Sequence, residues 1–134
     1  MAALLSISIS ACINQSNQAE DFLNDIDIAS YRIIDARADE SRVGPWAEVI
    51  IVGPEIDDSE ISSILRSPGL VIRARDSTTL QRVDDEIWIA SGSANSCHIA
   101  IYRLIDDEQF VTEVSGVGTD SVSAFRIHAT CGAG

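Results

Sequence analysis

Apolar residues recur along this chain in short bursts separated by polar or turn-forming residues. Trp46 to Val52 is a strongly apolar run stopped by Gly53-Pro54, as expected of a strand. Tyr31 to Ala36 is a second strand candidate, and Asp39 to Pro45 supplies turn residues between the two. Further along, Leu70 to Arg75, Glu86 to Ala90, His98 to Ile105, Gln109 to Val114 and Ser121 to Thr130 are each bounded by Gly, Ser, Asn or Asp. Asp106-Asp107-Glu108 joins two of them at hairpin spacing. Helical spacing is confined to two places. Ala19 to Ile26 groups Phe22, Leu23 and Ile26 on one face. Ile61, Ile64 and Leu65 form one apolar stripe behind Ser59, which has the chemistry of an N-cap. Asp57 and Asp58 lie just before that helix start, where negative charge suits the dipole, and Pro68-Gly69 ends the helix. Strands in close series with one or two short helices predict an α+β domain, a largely antiparallel sheet with the helices packed on it.

With 134 residues there is room for one core, assigned here to residues 19–134. Hydrophobic residues make up 46% of the chain and charged residues 22%, the balance of a folded domain. Aromatics are only 5%, so Ile, Val, Leu and Ala must build the core, and Trp46 and Trp88, in apolar strands, are expected to join it. Charge narrows the range of partners. Twenty-one acidic residues face nine basic ones, all Arg, for a net charge of −12. Such a field repels phosphate backbones and anionic membrane surfaces, which excludes nucleic acid as the main partner and leaves a basic protein as a candidate.

The first residues carry a different signal. Ala2 to Ala11 is small or apolar and uncharged, too short to span a bilayer but of the length of a signal-peptide hydrophobic region. It ends in Ile9-Ser10-Ala11-Cys12, which resembles the lipobox of bacterial lipoproteins. The resemblance implies that Cys12 is lipidated and begins the mature chain. It implies a periplasmic or cell-envelope address, with the lipid as the one link to a membrane. No Arg or Lys precedes Arg32, so the segment reads as a truncated leader, followed by a polar tether over residues 13–18. The alternative is a first strand from Ser6 to Ile13, whose Ser/Ile alternation also fits, in a cytoplasmic protein.

If Cys12 is the lipidated residue, Cys97 and Cys131 remain to pair in an oxidising compartment. On strands, Cys97 shares a face with Ile99 and Ile101, and Cys131 with Ala129, Ile127 and Phe125. Two thiols on apolar faces can meet across neighbouring strands or stay separately buried. A zinc site would need His98 and His128 as well, but each His points away from the Cys beside it in sequence. One strand pair therefore offers two Cys or two His, not four ligands, and neither a metal nor a cofactor is implied.

Other chemistry is sparse. Ser91-Gly92-Ser93-Ala94-Asn95-Ser96 reads as a small polar loop whose Ser91, Ser93 and Asn95 could face a ligand. It lacks the spacing of a nucleophile elbow. The clusters Asp57-Asp58-Ser59-Glu60, Asp84-Asp85-Glu86 and Asp106-Asp107-Glu108 lack the ligand offsets of a calcium loop and read as a helix start and turns. Arg73, Arg75 and Arg82 could clamp an anion, though surface ion pairs are the expected use of them. These features suggest an envelope domain that binds rather than converts. One alternative is an inhibitor or immunity protein meeting a basic toxin or hydrolase. The other is a small hydrolase using the segment from Ser91 to Ser96 with His98 or His128.

Overall fold

A computed structural model of the chain describes residues 17–76, 82–105 and 122–132. The strands are β1 Arg32–Ser41, β2 Gly44–Pro54, β3 Val71–Ala74, β4 Arg82–Val83, β5 Glu86–Ala94, β6 Cys97–Leu104 and β7 Val122–Cys131. They form one sheet in the order β1-β2-β7-β6-β5-β3, with β4 pairing the start of β5, and every pair is antiparallel. Helix α1 spans Gln18–Asn24, and a 3-10 turn, Asp58–Glu60, leads into the single-turn helix α2, Ile61–Ile64. The fold is α+β, as the residue pattern predicts. No helix among the described residues is long and apolar enough to cross a membrane.

Alternation decides which side chains enter the core. Val49 and Ile51 of β2, Ile99 and Ile101 of β6, and Phe125 and Ile127 of β7 point to one face. Leu23, Ile61 and Ile64 from the helices, with Ile26, Tyr31 and Leu65 beside them, close over that inner face. Tyr31 fits most tightly. Its ring lies 6.0 Å from that of Phe125 and its hydroxyl donates to the Pro54 carbonyl. The ring also lies flat on Gly53, where a Cβ would come within 2.7 Å of it, so the strand needs glycine there. Cys97 and Cys131 are direct partners on the inner face, with sulfurs 2.01 Å apart, the separation of a disulfide.

Local expectations are corrected in three places. The turn drawn over Asp39 to Pro45 shrinks to Arg42 and Val43, because β1 and β2 stay paired out to Ser41 and Gly44. Asn17 and Gln18, read as tether, belong to the domain. Asn17 caps α1 by accepting from the Glu20 amide at 2.9 Å, and its amide nitrogen donates to the carbonyls of Asp39 and Trp46. Ser59 lies inside the 3-10 turn and does not cap a helix. Helix α2 stops at Ile64 because Asp27 and Arg66 exchange backbone hydrogen bonds at 2.8 and 3.0 Å, which draws the chain out straight well before Pro68. The hairpin at Asp106-Asp107-Glu108 and the strand from Gln109 to Val114 lie outside the described residues.

Candidate functional site

Directly paired residues of adjacent antiparallel strands project to the same side, so the register gives the outer face of the sheet rung by rung. One rung runs Arg37, Glu48, His128, Ala100, Ser91, Arg73 from β1 across to β3. The rung on one side of it is Asp39, Trp46, Thr130, His98, Ser93, Val71, and on the other Asp35, Ile50, Arg126, Tyr102, Trp88. At the far end Val52, Val122 and Ala124 make a small apolar group with Ile34, Ile50 and Leu104. The helices pack on the opposite face, so no described element covers these rungs.

Glu48 is the centre of the polar network and the one charged residue buried among those described, at 7% exposure. Its Oε1 accepts from Arg37, while Oε2 accepts from Arg126 Nη1 at 2.8 Å and stands 3.2 Å from His128 Nδ1. Burial pulls the carboxyl upward, but the hydrogen bonds from His128 and Arg126 and the charges of Arg126 and Arg37 outweigh it. The group is held below the usual carboxylate range. Arg126 also grips Glu86, with Nε donating to Oε2 at 2.9 Å and Nη2 to Oε1. Those hydrogen bonds to Glu86, helped by Glu48, raise its pKa further and keep the guanidinium charged.

Aromatic rings support several of these side chains. The His128 ring is stacked on Trp46 at 5.7 Å, the Arg126 guanidinium lies 4.4 Å above Tyr102, and that of Arg75 lies 3.7 Å above Trp88. The Trp88 indole N–H is shared between the Ala90 carbonyl at 2.9 Å and Ser91 Oγ at 3.2 Å. Between these supports the surface sinks. A depression of about 310 Å³ is lined by Trp88, Ser91, His98, Ala100, His128 and Thr130 with the edges of Gly92 and Ile99. A second, of about 480 Å³, is lined by Val71, Arg73, Ser91, Gly92, Ser93 and His98. They share Ser91, Gly92 and His98, so they form one shallow groove, and among the described residues no carboxylate lines it.

Several expected site residues meet here in altered settings. Ser91 and Ser93 line the groove, but from strand β5 and not from a loop, since β3 and β6 supply ladder partners on both sides. Asn95 is in the turn to β6, with φ of 55°, and does not line the groove. The two Cys occupy the inner face and both His the outer, as alternation requires, with Ala100 opposite His128 and His98 opposite Thr130. Cys12 lies outside the described residues. Trp46 and Trp88, expected in the core, are on the outer face, and Trp88 is 38% exposed. A bulge explains Trp88. The register slips between Trp88 and Ala90, so Ile89 and Ala90 both turn inward and Trp88 shares its side with Ser91. The Arg residues expected in surface ion pairs do something else. Arg75 lies on Trp88, Arg82 donates to the Asp84 carbonyl, and Arg73 has no ion-pair partner among the described residues.

Glu48 itself was missed by sequence reasoning. Its signal was a lone acid inside the apolar run Trp46 to Val52, answered by Arg126 and His128 at alternating positions of the last strand. Among the described residues no group of three or more His, Cys, Asp or Glu is placed to hold a metal ion. Comparisons with protein-family models, curated proteins and solved structures find no match to this chain.

Proposed function

We propose that this protein is a ligand-binding domain of the bacterial envelope, lipid-anchored at Cys12, which takes a small polar ligand on the outer face of its sheet. One observation carries the binding part. A groove that no described element covers is lined in part by side chains already held in place, His128 by Trp46 and Glu48 and Trp88 by the Arg75 guanidinium. Fixing a surface in advance reduces the entropy lost on binding, and a core would not require it. The groups are also occupied in ways that suit holding more than chemistry. Glu48 accepts from three donors, and the Ser91 oxygen accepts from Trp88. The envelope address rests on the resemblance of Ile9-Ser10-Ala11-Cys12 to a lipobox.

Two measurements test the parts separately. Small-molecule fragments screened by amide chemical shifts should gather on the rungs between Trp46 and Arg73. Hits confined to the helical side, or none at all, would remove the binding reading. Intact mass of protein made from its native locus should show a lipid-modified species beginning at Cys12, and an unprocessed chain would remove the anchor.

Most of the described acidic residues stand on or just after α1, on edge strand β1, after β2 and at the turn before β5. Those positions fall at both edges of the sheet, so the described acids give a basic toxin no single rim, which leaves the inhibitor reading weaker. The hydrolase reading has one favourable observation. Glu48 holds His128 Nδ1 in a groove shared with Ser91 and His98, which leaves Nε2 to act as a base. Ester hydrolysis abolished by His128→Gln would favour it, and activity indifferent to that change would end it.

A further inference from the structure

Resting on that binding reading, the geometry points to the ligand's chemical class. We propose that the part of the groove built by Arg73, Ser91, Ser93 and His98 binds an anionic oxygen group, a carboxylate or a phosphate. Charge distribution is the first argument. The chain carries −12 overall, with acids outnumbering Arg more than two to one, yet among the described residues no acid lines this groove. Arg73 is exposed there without an ion-pair partner among the described residues, although Arg37, Arg103 and Arg126 each hold a carboxylate. Arg75, fixed on Trp88 one residue beyond β3, adds a second positive charge on the same side.

Geometry is the second argument. Arg73 stands opposite Ser91, and His98 opposite Ser93, so the four occupy neighbouring rungs of three adjacent strands. Strand spacing of about 4.8 Å and a rise of about 3.3 Å per residue put their backbone positions within a patch roughly 10 by 7 Å across the three strands. The two serines mark its centre, and the long Arg73 side chain and the His98 ring approach from either side, so that their donors can converge on one oxyanion. The donor inventory agrees. Arg offers only N–H, and His98 offers at least one. Ser91 Oγ already accepts from the Trp88 indole, which leaves its hydrogen to be donated into the groove. A cation, by contrast, would meet no carboxylate among the described residues of this lining.

The test is an amide-shift titration of the oxidised full chain with sodium malonate and, separately, sodium phosphate, against sodium chloride at equal ionic strength. At least one of the two should give saturable shifts centred on Ser91, Ser93 and His98. Saturation by malonate alone assigns a carboxylate, by phosphate alone a phosphate, and by both a general oxyanion site. Arg73→Gln, whose side chain is exposed, should weaken binding about tenfold or more, and Ser93→Ala should weaken it several-fold. Either variant suffices if the other fails to fold, as judged by its amide spectrum. Shifts no larger than those from chloride, shifts centred elsewhere, or unchanged affinity in both variants would overturn the inference. Neutral fragments gathering on the outer face while neither anion binds would leave the binding domain standing and remove only its anion specificity.

Discussion

Replacing Glu48 with Gln tests whether the outer-face network is part of the fold's stability or only surface decoration. The carboxylate is 7% exposed and accepts from three side chains. Its pair with Arg37, whose side chain is 62% exposed, is screened by solvent and contributes under about 1 kcal/mol. The hydrogen bonds from Arg126 and His128 are better shielded and charge-assisted, each on the order of 1–2 kcal/mol net. Gln keeps one acceptor, but sets an N–H group against a donor where the second carboxylate oxygen stood. Arg126 retains Glu86, which limits the damage. The expected loss is about 2–4 kcal/mol at neutral pH, read from urea unfolding of oxidised protein. The pH dependence gives the sharper check. The folded Glu48 carboxyl lies below its ordinary value, so its stabilisation is complete above the unfolded carboxyl's pKa of roughly 4.3. It is lost as pH falls through the lowered folded value. The other carboxyls titrate in both proteins and cancel, so the gap between wild type and variant should narrow below about pH 4. A gap under about 0.5 kcal/mol at neutral pH, or one that stays constant on acidification, would refute the reasoning.

Reducing the Cys97–Cys131 pair, which closes a loop of sequence separation 34, should lower stability by about 3–4 kcal/mol in urea unfolding with and without dithiothreitol. A change below about 1 kcal/mol would mean that the bridge does not form in solution. Gly53→Ala should cost about 1–3 kcal/mol in thermal unfolding, because the new methyl group meets the Tyr31 ring, itself backed by Phe125; an unchanged Tm would contradict that packing. Burial, with the charge of Glu60 adding to it and a hydrogen bond with Ser123 opposing it, pushes the Tyr31 phenol up to about 12. The folded state therefore favours the neutral phenol, and stability should fall as pH rises from about 10 to about 12. Ultraviolet titration should show a late ionisation that Tyr31→Phe lacks, and identical curves would contradict the burial argument.

Strand positions were legible because Phe125, Ile127 and Ala129 alternate with Arg126, His128 and Thr130, a pattern only a half-covered strand sustains. The same alternation correctly separated the Cys pair from the His pair. It failed at β5, where one bulge reverses the phase. Trp88 then faces out beside Ser91, and no local feature of Glu86 to Ala94 announces the slip. The stretch from Ser91 to Ala94 was also misread as loop, since Ser and Gly mark turns when judged locally. Its strand state is imposed by β3 and β6, whose partner residues are not its sequence neighbours beyond the one turn to β6. Glu48 and its partners come from three strands, and the groove from four, so neither leaves a contiguous motif.

Charge gives the more general lesson, because composition and geometry favour opposite partners. A total of −12 suggests a basic partner if the molecule is treated as one point. Fields from exposed charges decay over about 8 Å at physiological ionic strength, which is shorter than the distance across several strands at about 4.8 Å each. A ligand in the groove would therefore respond chiefly to Arg73 and Arg75, and only weakly to acids on α1 or the β1 edge. Partner reasoning from net charge holds for a large surface that averages over the whole molecule. For a small ligand the sign is set by the few side chains nearest to it, and in this part of the groove those are the guanidinium of Arg73 with Arg75 beside it.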